Sequence, residues 1–320
     1  MSVRSTESFF PRELSRTVSD LGARQARLQT QAATGQRIRN PEDDPGAFRN
    51  VLEFQGSFQQ LGQYSNNISK LQSRSASGYE AISQLKKLND RASEIATAAI
   101  GIRSSDDYAA YASEVNQILE SALGLSNSKL HGEPLFAGSA GSTAAFTAKR
   151  NESGKVTSVD YSGNQSARQA EVAEGVTITM DILGANTSES EGPRGLLYDK
   201  RAGIDVFGHL VALRDALMAG NQTAVADAAK GLANDETGFI QTFSEIGANQ
   251  SRLESAGRQN SSMATSINQM ISQESDVDLA QTLVELNQLQ SAYSAALQSA
   301  GSILKLSLLD YVLSSDRLIV

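Results

Sequence analysis

Asp43 and Asp44, set between Pro41 and Pro45, form the densest acidic spot in the chain. Adjacent carboxylates can work as acid and base or hold a hard cation, provided that further donors converge on them. The neighbouring positions offer Arg37, Arg39, Asn40 and Arg49, which suit a salt-bridged turn better than a metal site. Asp276 and Asp278, with Glu274, begin like a calcium loop, but the glycine and the closing glutamate are missing at the required offsets. They fit the N-cap region of a last helix. His131 and His209 stand far apart without a serine–acid context, and Gly138-Ser139-Ala140-Gly141 lacks the lysine of a phosphate loop. With no cysteine and two histidines, the chain has no thiol nucleophile, no disulfide and almost no route to a zinc site. The expectation is a protein that is not an enzyme, with no catalytic residue, no cofactor and no metal.

The elements around these residues are long and helical. Leu14, Val18, Leu21, Gln25, Leu28 and Ala32 recur in alternating steps of four and three. Near the other end, Leu279, Leu283, Leu286, Gln290, Tyr293, Leu297, Ala300 and Leu304 keep the same alternation. Such spacing is the seam of a coiled coil, and a glutamine within each seam fixes register or partner number. From about 46 to 102, apolar residues from Val51 to Ile102 recur at helical spacing with no proline between them. Ser105, before Asp106 and Asp107, reads as the N-cap of a further helix. Val206 to Leu217 reads as a shorter helix ending at Gly220-Asn221, and about 234–272 as another long one. Between 131 and 194 the period falls to two. Val156–Tyr161 and Val176–Ile182 read as strands, Leu135–Ala137 and Ala145–Thr147 as shorter ones, with turns at Ser162-Gly163-Asn164 and Glu174-Gly175.

Composition agrees. The 320 residues are 40% hydrophobic and 6% aromatic with no Trp and 5 Pro, which favours thin helical packing over a thick core. A net charge of −8 argues against binding nucleic acid by phosphate neutralisation. No run approaches the ~18 apolar residues of a membrane span, and the first residues lack a cleavable signal's apolar stretch. Charge is unevenly spread. Residues 1–40 hold seven arginines and three acids, whereas 270–312 hold one lysine and five acids, so the two ends are complementary in sign.

The run Thr34-Gly35-Gln36-Arg37-Ile38-Arg39-Asn40-Pro41-Glu42-Asp43-Asp44-Pro45-Gly46-Ala47 resembles the segment after the first helix of flagellins and flagellin-like hook-associated proteins. Its signature residues here are Gly35, Arg37, Ile38, Asn40, Asp43 and Asp44. Asp278-Leu279-Ala280 and the ending Leu306-Ser307-Leu308-Leu309-Asp310-Tyr311-Val312 are similar to the last helix of the junction-type members, and Leu313 to Val320 extends beyond it. Leu135-Phe136-Ala137-Gly138 and Asp205-Val206-Phe207 resemble their central region more loosely.

The resemblance implies a mainly α fold with a β-rich insert. Terminal coiled-coil helices would form a domain from 1–45 and 271–320, a helical bundle 46–130 with 200–270, and an outer β domain 131–199. It implies export through the flagellar secretion channel without a cleaved signal, and a place at the hook–filament junction. The implied partners are further copies in a ring, a neighbouring hook-associated protein, filament flagellin and an export chaperone, with no nucleic acid and no membrane insertion. Main-filament flagellin is the nearest alternative, and a type III secreted tip or translocator protein a more distant one.

Overall fold

The computed structural model describes residues 9–101, 104–141, 144–179, 181–189 and 192–315. Its elements in chain order are α1 (Phe9–Thr34), α2 (Pro45–Ala99), α3 (Ser105–Ser126), β1 (Lys129–Leu130), β2 (Glu133–Pro134), β3 (Phe146–Arg150) and β4 (Val156–Tyr161). They continue as β5 (Gln169–Ala173), β6 (Val176–Thr179), β7 (Ala185–Asn186), β8 (Tyr198–Asp199), β9 (Ile204–Asp205), α4 (Val206–Met218), α5 (Gln222–Ser275) and α6 (Leu279–Ser315). Helices dominate, as the 3.6-residue periodicity demands, and the strands are confined to the segment between α3 and α4.

Two compact units emerge: residues 1–59 with 264–320, and residues 60–263. The second does not separate its strands from its helices. Phe136, Phe146 and Val156 share one core with Ile82, Leu85 and Ile95 of α2, Leu119 of α3, Leu213 and Leu217 of α4, and Leu232 and Phe239 of α5. The β segment is short of apolar residues and cannot bury a core alone, so it borrows the helices' apolar faces.

Four small sheets make up that segment: the antiparallel hairpins β1–β2, β3–β4 and β5–β6, and β7-β8-β9, in which β7 and β8 run parallel. The expected strand at Val156–Tyr161 is present, and the one at Val176–Ile182 is shorter, ending at Thr179. Leu135–Ala137 forms a buried bend instead of a strand, because these three side chains all point into the core. β5, whose residues are mostly polar or alanine, has no alternating signal and goes unpredicted. α3 begins one residue earlier than expected: the capping position is Ser104, whose side chain makes no capping bond. α5 starts twelve residues before the expected 234, since Val225, Ala228 and Leu232 are buried at helical spacing and Asn221 Oδ1 accepts the amide of Ala224. Gly220, with φ 61°, ends the α4 segment in the left-handed conformation that a side chain would strain.

The acid that partners His209 could not be read from spacing. Asp235 of α5 is fully buried and lies 2.7 Å from His209 Nδ1, and its other oxygen accepts the backbone amide of Asp205 at 3.0 Å. The Asp235 hydrogen bond, aided by the nearby charges of Asp235 and Asp205, holds the His209 imidazolium above the ordinary histidine value. Burial pushes the Asp235 carboxyl up, while the imidazolium and the Asp205 amide draw it back. Both carboxylate oxygens of Asp235 accept from donors, the Asp205 amide and the imidazole, so the pair favours the imidazolium.

A group raised on folding stabilises fully below its unfolded value and loses that contribution as pH climbs through the folded one. The unfolded value is about 6.5, so stability is expected to fall as pH rises from about 6.5 through the folded His209 value above it. His209→Gln should flatten this slope in urea titrations made at a series of pH values. An unchanged slope would remove the pair from the account.

Candidate functional site

Nothing among the described residues gathers three metal-ligating side chains. The aspartates and the seam residues fall on the terminal pair of helices and on the loop that follows α1, whereas His131 lies in the turn between β1 and β2 and His209 on α4.

α1 and α6 pack as an antiparallel pair: Gly22 faces Tyr293, while Leu28 lies with Glu285 and Leu289. A Cβ built on Gly22 would meet the Tyr293 ring at 3.6 Å, ordinary contact, so the ring already rests on the α1 backbone. On α1, Leu14, Val18, Leu21, Gln25, Leu28 and Ala32 are all half-buried and form one continuous stripe.

On α6 the covered stripe is Thr282, Leu286, Leu289, Tyr293, Ala296, Ala300 and Ile303, again in steps of four and three. Leu286, Tyr293 and Ala300 were anticipated; Thr282, Leu289, Ala296 and Ile303 were not. Leu279, Leu283 and Leu297 are 49%, 50% and 46% exposed, and Gln290 is exposed too. The covered stripe on α6 is therefore rotated from the spacing read in sequence, and Gln290 lies outside it. Leu304 lies on α6, with its side chain outside the described residues. No ion pair joins α1 to α6 among the described residues; Arg27 turns to Asp43 instead, at 2.7 Å.

The signature loop is a joint. Gly35, with φ 71°, closes α1, its amide returning to the Gln31 carbonyl at 2.8 Å. The chain then pairs with the α5–α6 turn: Gln36 bridges Asp276, the Arg37 amide donates to Ser275 O at 2.6 Å, and the Val277 amide donates to Gly35 O at 2.9 Å. The Arg37 guanidinium donates to the Glu274 carbonyl at 2.7 Å, a cation at the C-terminus of α5 where the helix dipole favours it. It also approaches Asp44 at 3.8 Å. Ile38 is buried beneath this joint.

The two aspartates have separate structural tasks. Asp43 Oδ2 accepts the amides of Asn40 and Arg39, and Oδ1 takes the Arg27 guanidinium. Those amides, followed by Arg27, hold its carboxyl below the ordinary carboxylate value. Asp44 Oδ1 accepts the amides of Gly46 and Ala47, which makes it the N-cap of α2 with Pro45 in the first helical position. Asp278 does the same for α6, its Oδ1 accepting the Gln281 amide at 3.1 Å.

Asp44→Ala is expected to cost about 1 kcal/mol, the usual loss for an N-cap. Hydrogen exchange at Ala47 and Phe48 reads it out. Unchanged protection there would show that the cap contributes nothing.

The arrangement is a thin helix pair fastened to a turn, with a half-exposed leucine row along one flank of α6.

The profile of the bacterial flagellin N-terminal helical region matches residues 13–141. Flagellar hook-associated protein 3 of Escherichia coli is 24% identical, with 93% of this chain and 96% of that protein covered. Among solved structures, a putative flagellar hook-associated protein of Vibrio parahaemolyticus superposes with a TM-score of 0.63 at 20% identity, over 73% of this chain and all of the other. The flagellar junction protein of Legionella pneumophila does so with a TM-score of 0.55 at 14% identity, over 71% of this chain and all of the other. The fold is flagellin-like.

Proposed function

We propose that this flagellin-like chain is a structural subunit of the bacterial flagellum that joins hook to filament, assembling through its terminal helices and passing mechanical load. The near full-length likeness to a hook-associated protein 3 carries this reading, since it covers 93% of this chain and 96% of that protein. A filament flagellin is the second reading, favoured by the match to the flagellin N-terminal region.

The α6 flank supports assembly. Leu279, Leu283 and Leu297 are held about half exposed beside a seam that is itself only half-buried. Burying apolar surface yields about 25 cal/mol per Å², so packing these helices against further copies would stabilise α1 and α6 beyond what the isolated pair achieves. The partners are further copies in a ring, a second hook-associated protein on one side and filament flagellin on the other, with a chaperone holding the terminal helices before export. The site of action is outside the cell, on the flagellum.

Deleting the chain from its source cell tests the proposal. Hooks without filaments, with flagellin released into the medium, are expected; normal filaments on the hooks would contradict it.

A further inference from the structure

β5 and β6 form a hairpin turning at Gly175, and their register shifts between Glu171 and Ala173. In an unbroken antiparallel ladder successive carbonyls point to opposite sides, and a bulge breaks that alternation. Here two successive carbonyls of the bulged strand are taken by two different helices. Asn67 of α2 donates its Nδ2–H to Glu171 O at 2.8 Å, and Asn260 of α5 donates its Nδ2–H to Val172 O at 2.8 Å.

Asn260 is buried, and its amide would be costly to leave unpaired. Tyr64 of α2 adds its hydroxyl to the Glu171 carboxylate at 3.4 Å and accepts from Gln60 at 2.6 Å. Val172 and Ile178 also fill a small core of their own with Ile68 and Leu71 of α2 and Leu253 of α5, apart from the main core. Further along the pair, Lys86 reaches Glu236 at 3.0 Å at the edge of the main core, and the buried Asn89 donates to Leu232 O at 3.0 Å.

We propose that the β5–β6 hairpin is a strap that makes the outlying stretches of α2 and α5 open and close as one unit, with Asn67 and Asn260 as its positioning residues. The inference rests on the mechanical reading above only for its purpose: two long helices that carry load must not part where the main core ends. The physical linkage stands on the bulge and the paired amides.

Hydrogen exchange on the full chain tests it. Asn67→Ala changes α2 alone, yet it is expected to speed exchange about tenfold in the α5 stretch 253–260 as well as in the α2 stretch 60–71. Asn260→Ala should do the converse, while peptides around Leu119 and Leu217 keep their protection. Asn67→Asp, which keeps the side chain's size and removes the donor, should act like Asn67→Ala. Acceleration confined to the mutated helix, or to the hairpin alone, would overturn the strap. Faster exchange in both helices with unimpaired swimming in viscous medium would leave the strap standing and count against the mechanical reading.

Discussion

Leu286→Asp is expected to part α1 from α6 while leaving residues 60–263 folded. Leu286 sits within the covered stripe of α6 and is half-buried, where a carboxylate would be drawn out of water without a partner. Lost apolar contact and desolvation together should cost about 2 kcal/mol. That is a large share of what a thin two-helix pair can hold, because its described α1 side chains are at most half-buried. Limited proteolysis at high dilution should then remove α1 and α6 from the variant first and leave a resistant fragment near 60–263. Termini as resistant as those of the unsubstituted chain would show that the α1–α6 seam does not hold this pair.

Leu283→Arg combined with Leu297→Arg should have the opposite signature. Both side chains are about half exposed on the flank of α6, so charge there costs the monomer little, and helicity and proteolysis should match the unsubstituted chain. Assembly should fail, because two charges would be buried without partners wherever a second copy covers that row. Full incorporation into flagella and normal swimming would exclude the leucine flank as an assembly surface. The two variants together separate the seam within one copy from the surface between copies.

Much of this architecture was legible in the sequence, and the failures have physical causes. α2 and α3 were readable because apolar side chains recur at helical spacing without proline. The α1 stripe was readable because its neighbouring rows are polar. The phase on α6 was not: Leu283, Leu286, Leu289 and Leu297 occupy three adjoining rows, and any two of them can be read as a seam. What decides the phase is the partner. Gly22 leaves room on α1 for Tyr293, and that docking turns Leu289 inward and Leu283 outward. The sequence places the aspartate pair in a turn, yet the division of labour, Asp43 for the turn and Asp44 for the cap, depends on backbone amides that no residue pattern displays. β5 stayed hidden because it is held by amides from two helices and a bulge, with only Val172 buried.

Imaging labelled protein on intact flagella of the source cell tests the central claim most directly. A narrow band of label at the boundary between hook and filament is the predicted result, present once per flagellum and independent of filament length. Label distributed along the whole filament would contradict the junction role and establish the chain as a filament subunit, and label absent from flagella would remove it from the organelle altogether.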